Sequence, residues 1–127
     1  MSAQLRVLVA DDHPSIRENL RYLINAENDL VCVGAAKDGR QCLALCAELM
    51  PDVLVLDYEM PGLDGLSTAS TLERVQPRIR VIVYTLDAEV CSVAQSFGAV
   101  ACISKDAPYE SLLGAIRKGR ERESRLH

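Results

Sequence analysis

Short apolar runs alternate with amphipathic stretches along the whole chain. Five of these runs are rich in Val, Ile and Leu and show little polar alternation, as expected of strands covered on both faces. They are Leu5–Ala10, Leu30–Ala35, Val53–Leu56, Arg80–Thr85 and Ala101–Ser104. Alternating strands and helices imply parallel strands joined by right-handed crossovers. The pattern therefore predicts an α/β fold, with an open five-stranded sheet and helices on both of its faces.

The stretches that follow the runs have apolar residues at helical spacing, which predicts five helices. These residues are Ile16, Leu20, Leu23 and Ile24; Leu43, Cys46, Ala47 and Met50; Leu66, Ala69, Leu72 and Val75; Val90, Val93, Ala94 and Phe97; and Tyr109, Leu112, Leu113 and Ile116. Pro51, Pro77 and Gly98 are expected to end the second, third and fourth helices.

Length and charge narrow the class of protein. A chain of 127 residues with 49% hydrophobic and 25% charged residues has the size and balance of one globular domain. Its net charge of −4 and its 4% of aromatic residues argue against direct DNA binding by this domain. No apolar run reaches the length of a membrane span, and the N-terminus does not resemble a signal peptide. We therefore expect a cytoplasmic protein without a membrane partner.

The chain contains five cysteines, which are Cys32, Cys42, Cys46, Cys91 and Cys102. Their number is odd and they lie within apolar patterns, so we expect free thiols in a reduced cytoplasm rather than disulfides. The spacing of Cys42 and Cys46 on a helix suits a metal, but no further Cys or His completes a set of four ligands.

The candidate chemistry lies at the carboxyl ends of the strands, where sites form in open parallel sheets. Asp11 and Asp12 follow the first run, Asp57 follows the third, Thr85 ends the fourth and Lys105 follows the fifth. Each has a purely structural alternative: Asp12 and Thr85 as helix caps, Asp57 as a turn residue and Lys105 as a surface lysine. Because all of these positions converge on one edge, a shared site is the stronger interpretation.

The charges at this edge indicate a divalent cation. Asp11, Asp12 and Asp57 contribute −3 and Lys105 contributes +1, which leaves −2. Two unit charges about 4 Å apart interact by roughly 4 kcal/mol at an effective dielectric constant near 20. An all-oxygen site with few protein ligands suits Mg²⁺, and Mg²⁺ with a lysine and a threonine hydroxyl can hold a phosphoryl group. A carboxylate beside the metal can act as the nucleophile.

Over nearly its whole length, the chain resembles the receiver domain of two-component response regulators, and in particular the NarL/FixJ-type subfamily. The matching stretches are Val7–Pro14, Pro51–Asp57, Met60–Gly65, Val81–Thr85, Gly98-Ala99 and Ile103–Ala107. This resemblance implies a flavodoxin-like, doubly wound sheet with strand order 2-1-3-4-5. It also implies a phosphorylation-dependent switch rather than an enzyme with a turnover substrate.

The resemblance further implies a role for each site residue. Asp57 would accept a phosphoryl group from a histidine kinase or a histidine phosphotransfer domain. Asp12 would bind Mg²⁺ directly, Asp11 directly or through water, and the backbone carbonyl of Glu59 would complete the metal site. Asp57 would itself be a metal ligand.

Two further residues would respond to phosphorylation. Thr85 would bond a phosphoryl oxygen, and Lys105 would pair first with Asp57 and then with the phosphoryl group. The donor would dock near this mouth, using a helix 1 face that includes Arg17 and Arg21. Control of transcription through an attached or partner output domain is also expected, and a homodimer on phosphorylation is an open alternative to a monomer.

The chain departs from the family pattern at two positions. Cys102 stands where most receivers have Tyr or Phe, so the usual rotation of an aromatic side chain is not available. Leu86 stands where a small residue is usual, and Glu59 and Asp87 add carboxylates near the mouth. The two carboxylates either repel anionic phosphodonors or face solvent, and Leu86 would narrow the approach to Asp57. Slow formation and slow hydrolysis of the aspartyl phosphate are therefore expected. Cys102 and Leu86 also favour, as the alternative function, a protein-binding module that has lost switching.

The C-terminal residues leave the domain organisation open. We expect a receiver domain over residues 1–120 and a tail or the start of a linker over 121–127. Residues 117–127 carry a net charge of +3, which fits a solvated helix end better than a nucleic-acid arm. Relatives of this subfamily usually carry a LuxR-type helix-turn-helix domain, so a stand-alone receiver and a fragment of a transcription regulator are both consistent with the sequence.

Two enzyme classes are disfavoured. An Asp-x-Asp phosphatase would need an aspartate where Glu59 stands, as well as a cap domain that this chain has no room for. The segment Gly34–Gly39 has the glycine spacing of a P-loop, but Arg40 and Gln41 replace the lysine and hydroxyl residue that bind phosphate and Mg²⁺.

Overall fold

The computed structural model describes residues 4–60, 62 and 64–126, with side chains described up to Lys118. The strands are β1 Leu5–Ala10, β2 Leu30–Ala36, β3 Val53–Asp57, β4 Arg80–Thr85 and β5 Ala101–Ser104. The α-helices are α1 Pro14–Asn25, α2 Gly39–Leu49, α3 Gly65–Val75, α4 Ala88–Val93 and α5 Tyr109–Leu126.

The five strands form one parallel sheet in the order β2-β1-β3-β4-β5, which confirms the predicted α/β fold and strand order. β1 pairs with both β2 and β3, and β3 pairs with β4 from Val53 opposite Arg80 to Asp57 opposite Tyr84. The order of strands reverses direction at β1, so the crossovers leave a crevice at the carboxyl ends of β1 and β3.

Alternate side chains of the strands enter two different apolar layers. Val7, Val9 and Val55 pack with buried residues of α1 and α5 on one face. Leu54 and Leu56 pack with Cys42 and Cys46 of α2 and with α3 on the other face. The central strands are therefore covered on both sides, as their continuous apolar sequences predict.

A smaller apolar cluster holds α4 against the sheet. It consists of Val83, Val90, Ala94 and Ala99, with Cys102 partly buried beside it. The fourth helix differs from the prediction of one helix through Phe97: the α-helix ends at Val93 and Ala94–Phe97 form a 3-10 turn. Gly98, at a φ of 96°, ends this turn as predicted.

The sequence allowed Thr85 and Asp12 to be helix caps, and the structure shows that neither of them is one. Asp87, and not Thr85, caps α4 by accepting a hydrogen bond from the N–H of Glu89 at 2.9 Å. His13 occupies the N-cap position of α1 without a side-chain hydrogen bond, so Asp12 is not the cap. Both residues are thus free of the capping roles that the sequence allowed.

Gly65 lets α3 begin directly beside the end of β3. A Cβ atom at this position would lie 2.6 Å from the carbonyl oxygen of Asp57 and 2.6 Å from the Cα of Tyr58. Only glycine permits this close approach of backbones. The loop that carries Asp57 and Glu59 is therefore held against the first turn of α3.

α5 continues to Leu126, and its middle is tied to the loop before β2. The Arg117 guanidinium donates to both carboxylate oxygens of Asp29 at 2.7 Å and to Glu27 at 2.8 Å. The first positive charge of the basic C-terminal segment is therefore paired within the domain.

The predicted boundary at residue 120 stays a prediction, and His127 lies outside the described residues. Among the described helices, none has the length and hydropathy that crossing a membrane requires.

The burial of α5 yields a stability prediction. Leu112 is fully buried between α5 and the sheet. We expect Leu112→Ala to lower the free energy of unfolding by about 2–5 kcal/mol, because it removes buried methyl groups and leaves a cavity. Leu86→Ala, the same change at a side chain that is 66% exposed, should alter it by less than about 0.5 kcal/mol. Urea denaturation measures both, and an unchanged Leu112→Ala midpoint would show that α5 is not part of the core.

Candidate phosphoacceptor site

Four strands deliver the predicted site residues to one edge of the sheet. Asp11 follows β1, Asp57 ends β3, Thr85 ends β4 and Lys105 follows β5. Asp11, Asp57 and Thr85 are each no more than 4% exposed. The backbone N–H of Lys105 donates to the carbonyl of Thr85 at 2.9 Å, which fixes the start of the lysine relative to the threonine.

Lys105 bridges the two buried carboxylates. Its ammonium nitrogen lies 2.9 Å from Asp11 Oδ2 and 3.2 Å from Asp57 Oδ1. Burial alone would lower the pKa of Lys105. The hydrogen bonds that its ammonium donates to Asp11 and Asp57, together with the negative charges of these residues, outweigh this effect, so the pKa is raised. The lysine is therefore positively charged at neutral pH and balances one of the two negative charges.

Asp57 keeps one carboxylate oxygen open. Lys105 and the N–H of Glu59, at 3.2 and 3.4 Å, both donate to Oδ1, and no described residue donates to Oδ2. Burial raises the pKa of Asp57, the negative charge of Asp11 raises it further, and Lys105 only partly offsets both. The negative charge of an ionised Asp57 is therefore only partly balanced by Lys105.

The acidic cluster also includes a residue that the sequence arguments did not single out. Oxygens of Asp11, Asp12 and Asp57 and a ring nitrogen of His13 all lie within 4.8 Å of one another. The backbone N–H of His13 donates to Asp11 Oδ1 at 2.9 Å, and Nδ1 of His13 lies 3.0 Å from Asp12 Oδ1. The position of His13 before Pro14 indicated only the start of a helix, so no sequence signal pointed to this role.

The chemistry of these donors fits Mg²⁺. Asp12 Oδ1 is buried, and no described residue makes a hydrogen bond to it; its approach to His13 Nδ1 lacks hydrogen-bond geometry. Buried carboxylate oxygens without donors are costly unless a cation or water satisfies them. Three carboxylates from two loops, with an unpaired oxygen on Asp12 and on Asp57, form the all-oxygen set that Mg²⁺ favours.

The cluster opens into a surface cleft of about 460 Å³. Asp57, Thr85 and Lys105 line it together with Leu86 and Asp87. The hydroxyl oxygen of Thr85 accepts a hydrogen bond from the N–H of Asp87 at 3.1 Å. The mouth is large enough for a phosphoryl group, and Leu86 lies at its rim, as the sequence predicts.

Comparison with known proteins identifies the family. Residues 7–117 match the model of the response regulator receiver domain. The chain belongs to the response regulator receiver domain family.

Several relatives carry the same domain. The chain is 37% identical over 116 residues to the response regulator GacA of Pseudomonas aeruginosa, covering 90% of this chain and 54% of that protein. It is 34% identical over 114 residues to the nitrate/nitrite response regulator protein NarL of Escherichia coli, covering 88% of this chain and 53% of that one. The predicted family and its NarL-type subfamily are thus confirmed. This receiver domain spans about half the length of these curated relatives.

A solved structure has the same architecture. The response regulator domain of Thermotoga maritima CheB superposes with a TM-score of 0.85 at 32% identity, covering 91% of this chain and 96% of that one. The flavodoxin-like arrangement predicted for the receiver is therefore confirmed at the level of the whole fold.

The receiver contains a disulfide, which corrects the expectation of five free thiols. Cys91 of α4 and Cys102 of β5 are bonded, with their Cα atoms 5.3 Å apart. Cys32, Cys42 and Cys46 are free, as expected. The odd number and apolar context of the cysteines predicted free thiols, because neither feature shows which cysteines lie next to each other in the fold. The adjacency of α4 and β5 was the signal that could have paired these two.

The helix 1 surface also differs in one detail. Arg21 is exposed, but Arg17 is half-buried and donates to the backbone carbonyl of Asp11 at 2.8 Å. Arg17 therefore helps to hold the β1–α1 loop and is only partly available to a docking partner.

The raised pKa of Asp57 predicts a pH-dependent cost of folding. A carboxyl whose folded pKa exceeds its unfolded value of 3.8 stabilises the fold below that value and loses this contribution as pH rises through the folded pKa. We expect Asp57→Asn, at pH 7 in EDTA, to raise the free energy of unfolding, because the neutral amide avoids the cost of burying a negative charge beside Asp11.

The same substitution at the exposed Asp106 provides the matched control. Asp106→Asn should change the free energy of unfolding by less than about 0.5 kcal/mol. Urea denaturation between pH 4 and 8 measures both variants, and a loss of stability in Asp57→Asn at pH 7 would contradict the arrangement of charges.

Proposed function

We propose that this receiver domain is a phosphorylation-dependent signalling switch in which Asp57 accepts a phosphoryl group from a histidine kinase or a histidine phosphotransfer domain. The observation that carries the proposal is the pairing of one Asp57 oxygen with Lys105 while the other has no donor among the described residues. The lysine orients the carboxylate, so that an oxygen of Asp57 can act as the nucleophile.

The transfer moves phosphorus from nitrogen to oxygen. An electron pair on Asp57 attacks the phosphorus, the bond from phosphorus to the donor histidine nitrogen breaks, and the departing imidazole takes a proton from solvent. Asp57 is buried and lines the cleft, so only a phosphoryl group that enters the cleft can reach it. The domain turns over no further substrate beyond forming and losing its own aspartyl phosphate.

The proposed metal ligands are Asp11, Asp12, Asp57 and the backbone carbonyl of Glu59. Asp12 has the most accessible carboxylate of the three and a buried oxygen without a hydrogen bond, which supports direct ligation. Both oxygens of Asp11 already accept hydrogen bonds, from His13 and Lys105, which supports a water-mediated contribution. When bound, Mg²⁺ supplies positive charge beside the transferring phosphoryl oxygens.

Thr85 and Lys105 hold the product. The Thr85 hydroxyl oxygen accepts from the N–H of Asp87, so its own proton remains to be donated to a phosphoryl oxygen. Lys105 can keep its contact with Asp11 while it pairs with the added negative charge. A shift of Thr85 would move Leu86 and Asp87 and with them the start of α4.

We infer that the output of the switch acts on an attached or partner domain. The chain covers only about half of relatives described as a transcriptional regulatory protein and a response regulator, which supports control of transcription. A cytoplasmic location is part of the same proposal. Homodimerisation on phosphorylation belongs to this proposal. A non-switching binding module is the second candidate, and it is favoured by the fact that Cys102, at the usual aromatic position, is bonded to Cys91.

The first prediction of the proposed function is that a single residue is phosphorylated. With acetyl phosphate and Mg²⁺, the wild-type chain should gain the mass of one phosphoryl group, and Asp57→Asn should gain none because the nucleophile is absent. Asp106→Asn should behave like wild type, since Asp106 is exposed and outside the cleft. Intact-protein mass spectrometry measures all three, and labelling of Asp57→Asn at the wild-type level would overturn the proposal.

Binding of Mg²⁺ gives a second prediction. Mg²⁺ should stabilise the wild-type chain by about 2.7 kcal/mol at one hundred times its dissociation constant. Asp12→Asn should weaken this binding by roughly tenfold or more, because a charged ligand becomes neutral. Glu59→Gln is the control and should bind like wild type, because only its backbone carbonyl is proposed as a ligand. Thermal unfolding against Mg²⁺ concentration tests this; equal effects of the two variants would refute the ligand assignment.

The rim of the cleft gives a third prediction. Leu86→Ala should speed both the formation of the aspartyl phosphate from acetyl phosphate and its hydrolysis, by roughly 2–10-fold, or about 0.4–1.4 kcal/mol in each barrier. Val93→Ala removes another exposed aliphatic side chain, on α4 outside the cleft, and should leave both rates unchanged. Rates for Leu86→Ala equal to those of wild type would show that Leu86 does not restrict access.

A further inference from the structure

We propose that Cys91 and Cys102 are a reversible redox modification site, whose disulfide tethers α4 to β5 and limits the response of this surface to phosphorylation. The first half of the inference stands on the pair itself, and the second half rests on the proposed function. The bond joins a helix to a strand across 11 residues of sequence.

The geometry of the pair suits a bond that opens and closes without rebuilding the fold. A Cα separation of 5.3 Å lies within the usual range for disulfides. Both residues are half-buried rather than enclosed, so a small thiol or disulfide reagent can reach them. Cys42 and Cys46, in contrast, are fully buried in the layer beneath α2 and α3.

The topology leaves this pair without a competing thiol nearby. Cys32 lies on β2 and Cys102 lies on β5, which are the two opposite edges of the sheet. Exchange with Cys32 would require the domain to unfold. Cys42 and Cys46 are neighbours on α2 but are fully buried, so a small reagent reaches Cys91 and Cys102 first.

Apart from the tether, α4 is held weakly. It has six residues, and only Val90 among them is buried. The following 3-10 turn contributes Ala94 as its buried residue. Short elements with few buried contacts open at lower free energy than the core. A covalent bond in the middle of α4 therefore changes its freedom more than it would change that of α1 or α5.

The tether spans the two elements that adjoin the phosphoryl-binding residues. Asp87, two residues after Thr85, caps α4. Cys102 lies three residues before Lys105 and pairs with Val83 in the sheet. A movement of Thr85 toward a phosphoryl group must shift α4 relative to β5. The disulfide opposes this shift, whereas two thiols permit it.

The reaction balances with a low-molecular-weight disulfide as the oxidant. The thiolate of one cysteine, after loss of its proton to solvent, attacks the reagent, forms a mixed disulfide and releases one thiolate. The second cysteine, also deprotonated, attacks the sulfur of the first and releases the second thiolate. Two protein thiols are oxidised and one small disulfide is reduced to two small thiols. In a reducing compartment such bonds are usually transient and sense redox state.

The test compares oxidised and reduced forms of the full chain, prepared with glutathione disulfide and dithiothreitol. Maleimide labelling after denaturation should count five thiols in the reduced form and three in the oxidised form, with peptide mapping joining Cys91 to Cys102. Cys91→Ser and Cys102→Ser should each be unable to form this bond, while Cys32→Ser should still form it. Five thiols after oxidation, or a different pairing, would overturn the redox site.

The second arm measures hydrogen exchange in residues 88–97 with and without Mg²⁺ and beryllofluoride. Reduced wild type, Cys91→Ser and Cys102→Ser should change their exchange rates by about tenfold, whereas the oxidised form should change by less than about twofold. An equal response in both redox states would overturn the coupling. Absence of phosphate labelling on Asp57 in either state would instead overturn the proposed function and the coupling with it, while the thiol count decides the redox site independently.

Discussion

The contact of one lysine ammonium with two buried carboxylates organises this domain. Lys105 lies within 3.2 Å of both Asp11 and Asp57, at an edge where desolvation makes each unpaired charge costly. The lysine balances one of the two negative charges. The second negative charge, together with the negative charge of Asp12, remains for a cation to balance. The parallel sheet favours this arrangement, because Asp11 after β1, Asp57 at the end of β3 and Lys105 after β5 all lie at the same edge.

Much of this edge could be predicted from the sequence. Continuous apolar runs indicated buried parallel strands, and the residues that follow them indicated Asp11, Asp57 and Lys105 as one cluster. The exact partners could not be predicted: Lys105 contacts Asp11 more closely than Asp57, and His13 joins the cluster through its backbone and ring. Such details depend on loop conformation, which hydrophobic periodicity does not specify.

The region around α4 was the hardest to predict. Its apolar spacing suited a helix through Phe97, yet the α-helix stops at Val93 and a 3-10 turn follows. The bond between Cys91 and Cys102 depends on how α4 lies against the edge strand, a tertiary property that composition cannot reveal. Where most receivers have an aromatic ring, this chain has the disulfide between Cys91 and Cys102. A signal from a phosphorylated Asp57 would therefore depend on movement of α4 as a whole.

A double-mutant cycle between Lys105 and Asp57 tests the central claim most directly. In EDTA at pH 7, Lys105→Met should destabilise the wild-type chain, because it leaves two buried carboxylates facing each other. In the Asp57→Asn background the same change should cost less, with a coupling of about 0.5–3 kcal/mol in urea denaturation. Additive effects of the two substitutions would show that this lysine and this carboxylate do not act on each other, and would contradict the account.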